Sequence, residues 1–263
     1  MLFRSKARDE RAAALKQRIA AEQDTLTRLE GEGWRKAAAQ RPAGTPAPGP
    51  APLFRWSFGT NGAVATELPG ELKGGAVPAE GRLQLPKEGA HFASQPIPRD
   101  LGEKTLEAWV SLADLNQGGG AAVSIQTLGG GVFDAIVFGE REPRKWMAGS
   151  SGFERTRDLG APEETAAPGT LVHLAIVYRA DNSIAVYRNG EPYGKPYTPA
   201  SPLQTFTAGK AQVLIGMRHT GGGRDFLTGS VRQASVYDRA LSAEEVAASY
   251  RSSGHAISPA EAL

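Results

Sequence analysis

The densest collection of reactive side chains lies between Asp134 and Trp146. There Glu140, Arg141, Glu142, Arg144 and Lys145 lead up to a tryptophan, and Asp134 interrupts an otherwise apolar run, VFDAIVF. A planar indole flanked by guanidinium forks and carboxylates can stack on a sugar ring while the charged groups hydrogen-bond its hydroxyls. The same set can anchor a protein partner. Arg218 and His219, which close the later apolar run AQVLIGM, join the set if a concave sheet brings the two segments together. The candidate ligand-binding residues are therefore Asp134, Glu140, Arg141, Glu142, Arg144, Trp146, Arg218 and His219. The competing arrangement puts Trp146 in the core and leaves the charges lining a loop.

Catalytic and metal chemistry find less support. Glu140 and Glu142 share a face if their stretch is extended, but surface carboxylates beside arginines form ion pairs more readily than they form acid-base dyads. His91, His173, His219 and His255 are scattered, with no two at metal-ligand spacing, and His173 inside an apolar strand reads as a satisfied core histidine. No Gly-x-Ser-x-Gly elbow occurs. The glycine triplets at 118–120, 129–131 and 221–223 lack the Gly-Lys-Ser/Thr continuation of a phosphate cradle and read as loop tips. With no cysteine there is no disulfide, thiolate metal site or c-type haem attachment in this chain. The expectation is no catalytic residue, no metal and no cofactor.

The segment that organises the rest is LVHLAIVYRADNSIAVYRNGEPY, Leu171 to Tyr193, a β-meander joined through Ala180-Asp181-Asn182 and with a second reversal at Asn189-Gly190. Asn-Gly suits a two-residue hairpin because both turn positions need positive φ. Both faces of its first run are apolar, which places that strand centrally in a sheet covered by another layer. Short strand signals recur at LFRWSF from Leu53, GRLQL from Gly81, AHFA from Ala90, TLEAWVSL from Thr105, AAVSIQT from Ala121, VFDAIVF from Val132, AQVLIGM from Ala211 and GSVRQASVY from Gly229. About a dozen short strands separated by Gly, Pro, Asn and Asp predict an all-β, two-sheet antiparallel jelly-roll sandwich.

Helical grammar is confined to the ends. Residues 1–40 form an expected helical arm rich in Ala, Glu, Lys, Arg and Gln, with Leu15, Ile19, Leu26 and Leu29 at heptad spacing. Residues 41–52, RPAGTPAPGPAP, read as a proline-rich linker and 53–252 as the sandwich. Ser242 and Glu245 make a capping box for a short helix near the end of that domain, and 253–263 repeat the start signal without room to finish a helix. The chain thus reads as a piece of a longer protein. Its formal net charge of +2 in 263 residues is too small to imply a nucleic-acid partner. Neither a signal peptide nor a membrane-spanning run is present in this sequence, so no membrane insertion is expected and the compartment stays open.

Four motifs carry a resemblance: TLEAWVSL, VHLAIVY, VYRNGEPYG and GSVRQASVYDRALSAEEVAASY, the last being the most specific. In this order and spacing, Phe54 to Arg251 resembles the laminin G-like jelly-roll domain of the concanavalin A-like lectin/glucanase superfamily. FDAIVFGEREPRKWMAGS is further similar to such domains in large multidomain planctomycete-type bacterial proteins that also carry cytochrome c-like domains. The resemblance implies a non-catalytic module that binds carbohydrate or protein, alongside other domains of a parent chain. A structural spacer without a free ligand is the alternative, and a glucanase-type glycoside hydrolase the third reading. The Glu-x-Asp-x-x-Glu strand of such glucanases is absent. Where many members carry an Asp-Glu pair in the last strand, this chain has Arg232-Gln233, which weakens any calcium site at that position.

Overall fold

The protein is described by a computed structural model covering residues 49–59, 64–223 and 226–253, together with Arg11, Ala14, Leu15 and Arg18. The chain divides into two compact units, Met1–Ala47 and Pro48–Leu263. In the first, the four described residues are helical and exposed. The rest of the expected arm, the linker up to residue 48 and the terminal segment from 254 lie outside the described residues.

The second unit is a sandwich of two antiparallel sheets. Its strands, in chain order, are β1 Phe54–Phe58, β2 Val64–Thr66, β3 Gly70–Lys73, β4 Val77–Ala79, β5 Arg82–Leu85, β6 His91–Ser94, β7 Lys104–Leu112 and β8 Ala121–Thr127. They continue with β9 Phe133–Phe138, β10 Trp146–Ser150, β11 Val172–Tyr178, β12 Ile184–Arg188, β13 Glu191–Pro192, β14 Ala211–Ile215 and β15 Gly229–Tyr237. One sheet of nine strands runs β13-β12-β11-β7-β15-β1-β2, with β5 and then β4 attached to β15. The other, of six, runs β10-β9-β8-β14-β6-β3. The meander sits where its pattern predicts: β11 pairs with β7 on one side and β12 on the other, buried along its whole length. Its turns use Asn182 (φ 68), Asn189 (φ 52) and Gly190 (φ 80), the positive-φ residues that tight reversals need.

Alternation along each strand sorts side chains between the sheets and onto their outer faces. Trp56, Leu106, Val110, Val123, Ile136, Leu174, Ile176 and Val231 fill the space between the layers, all 0 % exposed. On the far side of the nine-stranded sheet, helix α1 (Ala243–Ser252) lays Val246 on Ala175, Val177, Ala185 and Tyr187. Its capping box forms as the sequence predicts: the Glu245 amide donates to Ser242 Oγ at 3.2 Å and the Ser242 amide to Glu245 Oε2 at 2.8 Å. Tyr250 stacks on Trp109 at 5.5 Å. Beneath the helix His173 is buried as expected, its Nε2 2.6 Å from Glu107 Oε1, while the Tyr237 hydroxyl donates to Glu107 Oε2 at 2.7 Å. Burial works to raise the Glu107 pKa, but these bonds and one from Ser249 outweigh it and hold the carboxyl below its ordinary range.

Strands β2, β3, β4 and β10 carry no clear pattern in the sequence, and all four form. The last has consequences for the candidate site. No helix among the described residues is long and apolar enough to cross a membrane.

Candidate functional site

Strands β9 and β10 form a hairpin in the register Phe138↔Trp146 through Asp134↔Ser150, closed by residues 139–145. Positive φ at Gly139 (61°) and Arg144 (58°) bends that connection, so Glu140 and Glu142 do not lie along an extended strand. Alternation then divides the candidate residues between two faces. Asp134, Ile136 and Phe138 of β9, with Trp146 and Ala148 of β10, point between the sheets. Phe133, Ala135 and Val137 point outward.

Trp146 is therefore not a surface platform. It is 0 % exposed, its ring tilts against Phe138 at 4.8 Å, and its Nε1 donates to Glu164 Oε2 at 2.9 Å. The reason is register: as the partner of Phe138, the indole must share its inward face. Glu164 is itself gripped by Arg188, whose Nε and Nη2 donate to its two oxygens at 2.9 and 2.6 Å.

Asp134 is equally sealed, at 0 % exposure, and also leaves the candidate set. Arg155 donates to its Oδ1 from Nε at 3.1 Å and from Nη2 at 2.9 Å. Lys104 Nζ stands 3.0 Å from Oδ2, a charge contact outside hydrogen-bonding geometry, and donates to the Gln204 carbonyl at 2.7 Å. Burial pulls the Lys104 pKa below its ordinary range even though Asp134 opposes the shift. The cluster is internal scaffolding that the sequence pattern did not reveal, because Lys104 and Arg155 come from distant segments.

The remaining candidates meet on the outer face of the six-stranded sheet. After β14, Gly216 (φ 90) turns the chain so that Arg218 returns over the hairpin, and Arg218 Nη1 donates to Glu140 Oε1 at 2.5 Å. The pair lies against small residues: a Cβ on Gly149 would approach Glu140 Oε2 to 3.2 Å. Phe133 underlies both neighbours, with His219 stacked on its ring at 4.6 Å and Arg218 Cζ 5.8 Å from its centroid. Arg144 Nη2 donates to Asn116 Oδ1 at 3.1 Å. Arg141 stands over Phe153, 5.3 Å from the ring centroid. Glu142 takes part through its backbone carbonyl, which accepts from the Lys145 amide at 3.4 Å.

These groups border a cleft of about 490 Å³ lined by Asn116, Gln117, Glu140, Arg144, Phe153 and Arg218. Of the eight sequence candidates it holds Glu140, Arg144 and Arg218 directly, with Arg141 and His219 beside it. Phe153, Asn116 and Gln117 were not singled out. Phe153 is 43 % exposed and sits at φ 56 in a short 3-10 turn, Ser151–Phe153. A phenylalanine between Gly152 and Glu154, outside any alternating run, was the available signal. Asn116 and Gln117 are fixed by an Asx turn, their amides donating to Asp114 Oδ1 at 2.7 and 3.1 Å.

Arg232-Gln233, where the resemblance places an acidic pair, lies in the last strand, β15. Arg232 is the extra residue of a β-bulge between Val231 and Gln233, and it shares a cleft with Arg82 and one carboxylate, Glu80. Two guanidiniums and one acid do not fit a calcium ion, which needs six to eight oxygen ligands.

Comparison with solved structures finds the same sandwich in proteins of remote sequence. Trypanosoma rangeli sialidase in complex with a difluoro-KDN superposes with a TM-score of 0.61 at 17 % identity over 81 % of this chain, which spans 35 % of the sialidase. Domain 4 of AbnA, a GH43 extracellular arabinanase from Geobacillus stearothermophilus in complex with arabinotriose, gives 0.61 at 15 % identity over 80 % of this chain and 100 % of that domain. The binding domain of botulinum neurotoxin serotype G gives 0.50 at 10 % identity over 76 % of this chain and 51 % of its own. At such identities the likeness is one of fold. A search of curated proteins finds no match. A family model of the laminin G type covers residues 86–247, from the end of β5 into helix α1, and by that match the chain belongs to the concanavalin A-like lectin/glucanases superfamily.

Proposed function

We propose that the sandwich is a non-catalytic carbohydrate-binding module whose ligand lies in the cleft beside the β9–β10 hairpin. The observation that carries this reading is the exposed Phe153 ring standing at a 490 Å³ cleft beside the Glu140–Arg218 pair and the Arg144–Asn116 bond. An aromatic face next to fixed hydrogen-bonding groups is what sugar recognition requires, and a cleft of this size holds a short oligosaccharide. The arabinotriose complex of an isolated domain with this fold supports the ligand class. Glycosidic cleavage needs two carboxylates placed on either side of the bond. Here Glu140 is held by Arg218, and Glu142 enters the described contacts through its main chain. In this reading the chain is one module of a larger bacterial protein of the planctomycete type, whose other domains carry any chemistry.

Isothermal titration with arabinotriose and a panel of neutral oligosaccharides tests the site. Phe153→Ala is expected to weaken the best ligand about tenfold, the value of one stacking contact, with the thermal midpoint unchanged. Equal binding by wild type and variant, or release of reducing sugar from any polysaccharide in the panel, would overturn the proposal.

A further inference from the structure

We infer that the outer face of the nine-stranded sheet carries a second recognition site, a cleft of about 500 Å³ that takes the carboxylate of an acidic sugar. Its walls are Glu80, Arg82 and Arg232, and its floor is Gln84, Ser111 and Ser230. Three adjacent strands build that floor: Ser230 on β15 sits opposite Gln84 on β5 and Ser111 on β7. The bulge then adds Arg232 to β15, where it lines the same cleft.

The donors and acceptors decide what fits. Ser111 and Ser230 are 2 % and 4 % exposed and their hydroxyls lie 2.8 Å apart. Two hydroxyls bring two protons, and their mutual bond uses one, so one O–H is left over for a further acceptor. Arg82 reaches the pair from Nη1 at 3.5 Å and donates to the Gly169 carbonyl at 3.2 Å. No carboxylate among the described residues pairs with Arg82. Its Nε and Nη2 remain as a planar fork of the geometry that matches a carboxylate. Acceptors stand alongside. Gln84 donates its Nε2 to the Ala79 carbonyl at 3.2 Å while its Oε1 has no hydrogen-bond partner among the described residues, and Glu80 is exposed at the lip.

A ligand that satisfies this set must offer an anionic acceptor and hydroxyl donors on one small frame, which describes a uronic acid. No aromatic side chain lines the cleft, so recognition here is polar and charge-assisted. That separates it chemically from the Phe153 site on the other sheet.

The test is titration of the whole chain with trigalacturonic acid, its methyl ester and sodium acetate, read by amide chemical shifts and calorimetry. The acid is expected to bind about tenfold or more tightly than the ester, with affinity falling as salt rises. Arg82→Gln and Arg232→Gln should each abolish that discrimination at an unchanged thermal midpoint. Phe153→Ala should leave it intact, so this site stands or falls apart from the first. Equal affinity for acid and ester, discrimination retained by both folded arginine variants, or acetate binding as tightly as the trisaccharide would each overturn the assignment.

Discussion

The two faces of the β9–β10 hairpin carry the same chemical kit, an aromatic ring and an arginine–carboxylate pair, in opposite surroundings. Inside are Trp146 and Asp134–Arg155, sealed at 0 %, 0 % and 3 % exposure between the sheets. Outside, Phe153 and Glu140–Arg218 border a cleft. In the interior the indole N–H and the carboxylate are met by protein: Trp146 reaches Glu164, and Asp134 faces both Arg155 and Lys104. Such buried pairs return little net stability, since desolvation offsets the Coulombic gain, but they fix one arrangement of the layers. On the outside Phe153 keeps an open side at 43 % exposure, while Arg218 covers Glu140 and leaves their side chains 13 % and 2 % exposed. Similar residue types are thus sealed within the sandwich on one face and border a cleft on the other, and register decides which.

The largest test of that contrast is Trp146→Ala. It removes a buried indole and strips Glu164 of a hydrogen bond, so it should cost about 3–5 kcal/mol of stability, measured by urea denaturation. Ligand binding should fall only in proportion to the fraction unfolded. A Trp146→Ala protein that kept its stability and lost binding alone would return the indole to the site.

The sequence made the sandwich legible and the site only partly so. Val172–Tyr178 and Ser242–Glu245 announce themselves because strand alternation and helix capping are local rules. The pairing Phe138↔Trp146 is not local. WMAGS has too short and too mixed a pattern to declare itself a strand, so the face that Trp146 occupies could not be read. For the same reason the grouping of Glu140 with Arg218 was legible only as a condition on the fold, since 78 positions separate them. Phe153 escaped because exposure in a turn leaves no periodic trace.

An intermediate effect comes from acid. Burial works to raise the Glu164 pKa, but the bonds from Arg188, the Ala166 amide and Trp146 prevail and hold it below the ordinary 4.5. The unfolded chain therefore takes up this proton first. The stabilisation is present in full above pH 4.5 and is lost as the pH falls from there through the lower native value. Glu107, depressed in the same direction, adds to the same acid limb. Glu164→Gln should cost about 1.5–3 kcal/mol near neutrality, the worth of a hydrogen bond to a charged group, and should flatten the acid limb below pH 4.5. An acid limb as steep as that of the wild type would mean Glu164 is not the group that couples Trp146 to Arg188.

The smallest effect is the most discriminating, because stability and binding should move in opposite directions. Phe153 holds φ at 56°, a left-handed conformation that strains an L-residue by about 1–2 kcal/mol. Its ring is 43 % exposed, so burial offsets only part of that cost. Glycine adopts this φ freely but gives back part of the gain through the entropy of the unfolded chain. Phe153→Gly is thus expected to raise stability by about 0.5–1 kcal/mol while oligosaccharide binding weakens about tenfold. A residue kept for packing would show both quantities falling together. A gain in stability with a loss of affinity, from one substitution in the turn after β10, would mark Phe153 as held in strain for the ligand.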